Sequence, residues 1–312
     1  MIRQIVNRVA WTVLVVWFAI TATFVMATAI PANPARALLG PHSTPEAIAK
    51  VEAYYCLDRG FVGRYACFAG NIAKGDLGES FRSKRPVASI IADHIWPTIQ
   101  LALAAIVLQL LVGVPLGVLA AIRRGRWQDH TANLISLLGQ SAPAFVIATL
   151  AMYVLAYRFG WFPIGGYGDT FGSRLHHLVL PAATLASAGI AYYARIVRSE
   201  MIDVLGEDFI RTARAKGLGE RDVVVKHALR NALGPLVTLV GLDLGVMLGG
   251  AVVIEFIFAW PGLGRELLQA VLDVDLPLIL GVVLVAAIAI AVANLLVDLV
   301  YLWLDPRLRD QP

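Results

Sequence analysis

The sequence contains little charge for a chain of 312 residues. Asp, Glu, Lys and Arg make up 15% of it, whereas 58% of the residues are hydrophobic. A soluble globular domain has about a quarter charged residues. The apolar residues also gather in runs of about 20, the length that a helix needs to cross the hydrocarbon layer of a membrane. The composition therefore excludes an ordinary soluble domain and predicts an all-α integral membrane protein.

Signatures of catalysis and of metal binding are missing as well. The chain has no G-x-x-x-x-G-K-[ST] phosphate loop, no H-E-x-x-H zinc motif and no G-x-S-x-G nucleophile turn, so we expect neither bound nucleotide nor enzymatic activity. His176 and His177 are adjacent and would point about 100° apart on a helix, which favours solvated loop residues over a metal site. The net charge of +4 does not indicate nucleic-acid binding, because the excess Lys and Arg lies in loops, where it sets membrane topology.

Six apolar runs predict six transmembrane helices. If the N-terminus is cytoplasmic, the inside segments hold fifteen Lys and Arg and the short outside loops hold three; this bias predicts that both termini are cytoplasmic. We divide the chain into the N-terminus with the first helix (1–30), an outside loop subdomain (31–98) and a five-helix core (99–312) that contains a cytoplasmic loop at 198–232. The predicted spans are 9–30, 99–122, 131–157, 178–197, 233–257 and 277–303.

The long outside loop contains the only two cysteines, Cys56 and Cys67. An oxidising compartment permits a disulfide there, and the bridge would close a loop of about a dozen residues and contribute roughly 3 kcal/mol. The alternative is a pair of unpaired, small apolar side chains; we favour the disulfide because no other thiol competes. Short helices are predicted over 44–58, 62–73 and 87–95, the last of which enters the membrane.

Acidic residues inside the apolar runs are costly unless they face a bundle interior or an aqueous path. Asp243 and Met247 share one helix face at a spacing of four, and Glu255 lies near the outer end of the same span. We interpret these three residues as candidates for a translocation path, in which a carboxylate would meet the cationic end of a passing solute. For Asp243 we favour the alternative, a helix–helix hydrogen bond or a contact with a side chain of a partner subunit. A structural role is also the favoured interpretation for Asp298.

The loop between the fourth and fifth predicted spans is both basic and helical. Asp208 is the predicted N-cap of its first helix, which carries an apolar stripe of Phe209, Ile210 and Ala213. Gly217 then supplies a left-handed stop, after which a second helix follows. Two short amphipathic helices projecting from a membrane domain can fill a groove on a soluble partner, whereas a merely basic loop would lie on anionic headgroups. The apolar stripe favours docking.

Four motifs occur in order along the chain: GDLGESF at 75–81, RTARAKGL at 211–218 with HALRNAL at 227–233, FAWPGLG at 258–264, and NLLVD at 294–298 with DPR at 305–307. Together they resemble the permease subunits of ATP-binding-cassette importers in the dipeptide, oligopeptide and nickel branch, and most of all the dipeptide permease B type. The resemblance implies a type I importer permease fold in a bacterial inner membrane. Asp243 departs from it, because a neutral polar residue is expected there.

The resemblance also implies partners, a solute and a coupling site. The partners would be a homologous second permease, two ATPase subunits that bind ATP and Mg, an extracytoplasmic solute-binding protein and membrane lipid. The solute would be a di- or oligopeptide; nickel or another small solute is the alternative, and a secondary transporter with Asp243 or Asp298 as its ion site is less favoured because of the docking loop. Coupling to the ATPase is assigned to Phe209, Arg211, Thr212, Ala213, Ala215, Lys216, Gly217, Leu218, His227, Arg230 and Asn231.

Overall fold

A computed structural model of the chain describes residues 2–29, 56 and 59–304, and within them the backbone is helical apart from turns and one isolated bridge. This confirms the all-α prediction. Helices α3, α5 and α8 each contain a π-helical segment, at Gln109–Gly113, Met152–Arg158 and Val223–Leu229 respectively. The helices are α1 Ile2–Ala29, α2 Phe61–Ala73, α3 Val87–Ile122, α4 Trp127–Ser141, α5 Ala144–Arg158, α6 Phe171–Leu205, α7 Asp208–Ala215, α8 Glu220–Ala232, α9 Gly234–Gly250, α10 Val252–Ile257, α11 Leu263–Leu272 and α12 Leu276–Leu304.

Four of these helices, α1, α3, α6 and α12, are long and apolar enough to cross a membrane, and α8 with α9 makes a fifth if that bent pair is one span. The predicted count of six is not confirmed. The predicted span 131–157 is broken between α4 and α5, because Pro143 lacks an N–H and disfavours a helical conformation at the residue before it. The predicted span 233–257 is likewise divided at Ala251, between α9 and α10.

Helix α6 is much longer than the predicted span 178–197. Its 35 residues extend over about 52 Å at 1.5 Å per residue, well beyond the roughly 30 Å of a hydrocarbon layer. Its last residues, up to Leu205, therefore continue as helix into the segment predicted to be a loop. We call the end of the bundle that carries the C-terminus of α6, with α7 and α8, the basic end.

Glycines let α3 and α6 approach closely near the basic end. A Cβ atom on Gly117 would lie 2.6 Å from the carbonyl oxygen of Ala194 and 2.7 Å from the Cβ of Val197. Neither distance is tolerable, so any side chain here would push the two helices apart. Small residues serve the same purpose in many membrane helix pairs. Gly117 thus allows α6 to pack closely against α3 in the half of the bundle that supports α7.

At the opposite end, α2 packs against α1 through an aromatic cluster. The ring of Phe24 contacts those of Phe61, Tyr65 and Phe68 at centroid distances of 5.3–5.6 Å. A disulfide joins Cys56 to Cys67 with the Cα atoms 6.4 Å apart, so the predicted bridge is confirmed. The predicted helix over 62–73 is also present as α2, whereas the one over 44–58 lies outside the described residues, apart from Cys56.

The GDLGESF motif is anchored at the same end by one buried carboxylate. Asp275, 2% exposed, accepts hydrogen bonds from the Ser80 hydroxyl at 2.5 Å and from the backbone N–H groups of Phe81 and Arg82 at 3.0 and 3.3 Å. These bonds tie the loop before α3 to the junction of α11 and α12. The motif therefore has a structural role in closing this end of the bundle.

Candidate functional site

The candidate site is the basic segment, residues 206–232, which follows α6 at the basic end. Helix α7 stops where Gly217 adopts a φ of +80°, the left-handed conformation that glycine accepts at no steric cost. Glu207, not Asp208, is the N-cap residue of α7. Asp208 instead forms an ion pair with Arg211 at 3.2 Å. The two-helix organisation broken at glycine is as the sequence predicts.

Most of the apolar stripe on α7 faces the chain's own core. Ile210 is 0% and Ala213 is 6% exposed, whereas Phe209 remains 43% exposed. Burial of two of the three stripe residues attaches α7 to the rest of the protein, which leaves less apolar surface for a partner than the sequence suggested. The core residues that surround them come from α6, α8 and α9 and include Val197, Met201, Val223, Val224, Ala228, Ala232 and Leu236.

The remaining surface of the segment is basic with two apolar positions. Phe209 and Leu218, 43% and 40% exposed, lie at the start of α7 and after its end. Of the eleven residues assigned to coupling, Ala213 is buried and His227 is half-buried. The exposed ones are Phe209, Arg211, Thr212, Ala215, Lys216, Gly217, Leu218, Arg230 and Asn231.

An ion pair closes the turn between α7 and α8. Arg214 donates to the Glu220 carboxylate through Nε at 3.2 Å and through Nη2 at 2.7 Å. The hydrogen bond from Arg214 holds the pKa of Glu220 below its usual value. Both side chains are exposed, so the pair contributes little to stability. Its two-point geometry nevertheless orients α8 relative to α7 around Gly217.

A second ion pair, which sequence reasoning missed, fixes the base of α6. Arg198 donates to the two oxygens of Asp129, at the start of α4, at 2.5 and 2.8 Å. Asp129 is 3% exposed and also accepts from the Gly125 N–H and the Asn133 amide at 3.0 Å each. The Arg198 hydrogen bond lowers the pKa of Asp129 to about 2. The sequence signal for this pair was an acidic residue and a basic residue that each lie at the end of a predicted span.

Glu255, one of the three candidates for a translocation path, is bound by the backbone of α11. Its side chain is 0% exposed, and its carboxylate accepts from the N–H groups of Gly264 and Arg265 at 2.7 and 3.1 Å and from the Thr98 hydroxyl at 2.7 Å. The first N–H groups of a helix have no partner within it and favour an anion. Glu255 therefore caps α11, and it lines no open path in this structure.

The FAWPGLG motif builds this cap. A Cβ on Gly262 would lie 2.2 Å from the carboxyl carbon of Glu255, so only glycine leaves room for the carboxylate. Trp260, 0% exposed, donates from Nε1 to the Pro97 carbonyl at 2.9 Å and meets the ring of Tyr167 edge-on at 4.8 Å. The motif thus joins α3, α10 and α11, which is a structural function.

The other two path candidates lie inside the bundle. Met247 is 6% exposed and packs with Ala102, Ala105 and other apolar residues of α3 and α6. Asp243, one turn earlier on α9, is half-buried, and its carboxyl group lies against the Tyr193 hydroxyl of α6. The structure brings these two residues together, and it separates Glu255 from them. The side chain of Asp298 is outside the described part of the chain.

The adjacent histidines each bind nearby backbone. His176 Nε2 lies 2.9 Å from the Trp161 carbonyl oxygen and His177 Nδ1 lies 2.7 Å from that of Ser173. Within residues 59–304, Cys56 and α1, no group of three His, Cys, Asp or Glu side chains could hold a metal ion. The His176 imidazole therefore connects α6 to its preceding loop, whereas the contact of His177 lies within α6.

Comparison with known proteins assigns the chain to a family. Residues 113–310 match the family described as the inner membrane component of binding-protein-dependent transport systems, and residues 1–102 match the N-terminal family of the same membrane components. The chain belongs to this family. The permease family establishes a multi-pass inner-membrane protein, and it confirms the resemblance stated from the four motifs.

Individual relatives extend over the whole chain. The glutathione transport system permease GsiC of Escherichia coli O6:H1 is 37% identical over 309 residues, 99% of each chain. The dipeptide transport system permease DppB of Alkalihalophilus pseudofirmus is 36% identical over 310 residues, 92% of this chain and 93% of that one. An inward-facing structure of the MetNI methionine ABC transporter matches with a TM-score of 0.58 at 18% identity, over 69% of this chain and 96% of its own. That likeness shows the type I importer fold.

Proposed function

We propose that this permease serves an ATP-driven importer of peptides. The family describes components of binding-protein-dependent transport systems, and relatives named for dipeptide and glutathione transport match nearly the full length; this full-length similarity carries the proposal. The chain would form the path with a homologous second permease. Two ATPase subunits would bind and hydrolyse ATP, and an extracytoplasmic binding protein would deliver the solute. We place the basic end and both termini in the cytoplasm, as the bias of Lys and Arg among the loops predicts.

The exposed surface of the basic segment would dock the ATPase. Phe209 and Leu218 offer apolar contacts, and Arg211 and Lys216 surround them with positive charge. The buried stripe attaches α7 firmly to the core of the protein. Because close-packed side chains transmit displacement, a movement of this surface would be passed on to that core. The Arg198–Asp129 pair connects the same unit to α4. Closure of the ATPase subunits would therefore move α6 and α4 with the basic segment.

A charge placed on the docking surface tests this assignment. In the complex purified in mild detergent, Phe209→Asp should reduce the yield of ATPase subunits at least about tenfold, because an unpaired carboxylate would be buried in the contact. Phe171→Asp is the matched control, since Phe171 is 83% exposed at the opposite end of α6. Recovery of ATPase at the wild-type ratio with Phe209→Asp, together with normal solute-stimulated hydrolysis, would contradict docking at this surface.

The solute class is tested with the complete transporter. Proteoliposomes that contain both permeases and both ATPase subunits, with the binding protein outside and ATP inside, should accumulate a labelled dipeptide. Uptake of nickel or another small solute but no peptide would assign the alternative class. Uptake that survives without ATP but requires a proton gradient would instead indicate secondary transport.

A further inference from the structure

The turn between α3 and α4, residues 123–126, carries three arginines that none of the contacts described above uses. Arg123, Arg124 and Arg126 are exposed, and among the described residues no carboxylate forms an ion pair with any of them. Three positive charges within four residues repel one another. The turn would therefore gain from a partner that carries negative charge.

The backbone of this turn is held in place by Asp129. Gly125, at a φ of +74°, donates its N–H to the Asp129 carboxylate at 3.0 Å, and the Arg126 N–H donates to the Arg123 carbonyl oxygen at 2.9 Å. The charge of Asp129 is already balanced by its two bonds from Arg198, so it does not neutralise the arginines of the turn. The three guanidinium groups thus extend from a fixed backbone, which reduces the entropy lost when a ligand binds.

Both helices that meet at this turn expose apolar side chains close to it. On α3, which is long enough to cross a membrane, Leu119 and Ile122 are 43% and 46% exposed, and on α4 Trp127 and Leu134 are 71% and 58% exposed. Exposed apolar residues of a membrane protein face the lipid, and tryptophan is enriched at the boundary with the headgroups. The arginines follow Ile122 directly and precede Trp127, so they lie at the level of the headgroups.

This combination of charge and apolar surface fits an anionic phospholipid. A guanidinium group binds phosphate oxygens through two parallel N–H groups, and basic residues next to a membrane helix attract lipids of negative charge. The acyl chains of the same lipid can cover Ile122 and Trp127. A soluble acidic protein could pair with the arginines, but it would have to displace lipid from these two side chains. The position of the turn therefore favours the lipid.

We propose that the turn between α3 and α4 binds the phosphate group of an anionic phospholipid through Arg123, Arg124 and Arg126. The ligand is a membrane component and not the transported solute, so the proposal does not depend on which solute the protein carries. The bound lipid would hold the junction of α3 and α4 beside Asp129, which connects α4 to α6.

Native mass spectrometry tests the site on the protein purified in mild detergent. Subunits that copurify are kept, so that a partner on the basic segment covers the other arginines of this end. Wild type should bind phosphatidylglycerol at least about tenfold more tightly than phosphatidylcholine with the same acyl chains, since each arginine near a negative headgroup contributes about fivefold. The turn variant, Arg123→Gln/Arg124→Gln/Arg126→Gln, should bind the two lipids with equal affinity.

The control variant removes the same net charge from three exposed arginines at the opposite end. It is Arg59→Gln/Arg82→Gln/Arg158→Gln, and it should keep the wild-type preference. Equal loss of the preference in both variants would mean that net charge alone selects the lipid, which would overturn the site. The site is also overturned if the turn variant keeps the preference at an unchanged melting temperature.

Two further outcomes concern the nature of the ligand. Equal affinity of wild type for the two lipids would refute the proposal whatever the variants do. Glycerophosphoglycerol, the headgroup without acyl chains, should not displace the bound lipid, and displacement would contradict the apolar contacts with Ile122 and Trp127. Loss of copurified ATPase subunits from the turn variant, with its lipid preference intact, would assign the turn to a soluble partner and overturn the proposal.

Discussion

Replacing Asp129 by Asn removes the charge from the buried ion pair that joins α4 to α6. The carboxylate is 3% exposed and accepts four hydrogen bonds, two of them from Arg198. The substitution keeps the size of the side chain but leaves the Arg198 guanidinium facing a neutral amide. Because Arg198 belongs to the part of α6 that supports the basic segment, the change should loosen this end of the bundle.

The magnitude follows from the pKa of Asp129. Its fall from 3.8 to about 2 corresponds to about 2.4 kcal/mol, at 1.36 kcal/mol for each pKa unit. Breaking a fully buried pair costs roughly 3–5 kcal/mol, but the Arg198 side chain is 26% exposed and keeps some hydration. We therefore expect Asp129→Asn to lower the free energy of unfolding by about 2–3 kcal/mol at neutral pH.

The pH dependence has a definite sign. A carboxylate whose pKa is lowered by folding stabilises the protein above the pKa of the unfolded chain and loses that contribution as the pH falls through the folded value. The contribution of Asp129 is therefore complete above about pH 4 and declines towards about pH 2. The difference in stability between wild type and Asp129→Asn should shrink over the same interval.

The assay is denaturant unfolding of the detergent-solubilised chain, followed by tryptophan fluorescence. Asp222→Asn is the matched control, because Asp222 pairs with Lys226 at 2.8 Å with 47% and 70% of the side chains exposed. Loss of that pair should cost under about 0.5 kcal/mol. Equal stabilities of Asp129→Asn and Asp222→Asn at neutral pH would refute the assignment of Asp129 as a buried anchor.

Two further predictions concern the opposite end. Gly264→Ala should lower the melting temperature, at a cost of about 1–3 kcal/mol, because its Cβ would lie 2.5 Å from the Cα of Val252 and 2.9 Å from Glu255 Oε2. Gly172→Ala is the control and should leave the melting temperature unchanged, because no atom lies within 4 Å of its Cβ. Equal melting temperatures of the two variants would contradict the close contact at Gly264. Cys56→Ser should reduce stability by about 3 kcal/mol while ATPase subunits still copurify, and free thiols on both cysteines of the native protein would exclude the bridge.

The sequence was sufficient to predict the features that depend on local chemistry. Apolar runs predicted the membrane helices, and the left-handed preference of glycine predicted the break at Gly217. Loop position and the lack of a competing thiol predicted the Cys56–Cys67 bridge. Helix boundaries were predicted less well, because the sequence predicts one span over 131–157 where Pro143 separates two helices. The length of α6 was also missed, since its polar end resembles a loop.

Only the tertiary structure shows which groups the charged residues contact. The sequence around Glu255 is compatible both with a residue that lines a path and with one that caps a helix. Only its contacts with Gly264 and Thr98 show that it caps α11. Likewise, the stripe on α7 predicted an apolar face but not what covers it. Asp129 and Arg198 are far apart in the sequence, so their contact could not be predicted from it.

The sequence by itself determined that this chain is a helical membrane protein with a basic, glycine-broken segment, because hydrophobic runs and turn chemistry act over a few residues; its likeness to importer permeases came from four motifs that resemble that family. The tertiary structure decided which groups the acidic residues contact. Glu255 and Asp129 are bound by backbone or guanidinium groups, whereas Asp243 lies against the Tyr193 hydroxyl of α6. That difference depends on which helices meet, and long-range packing alone sets it.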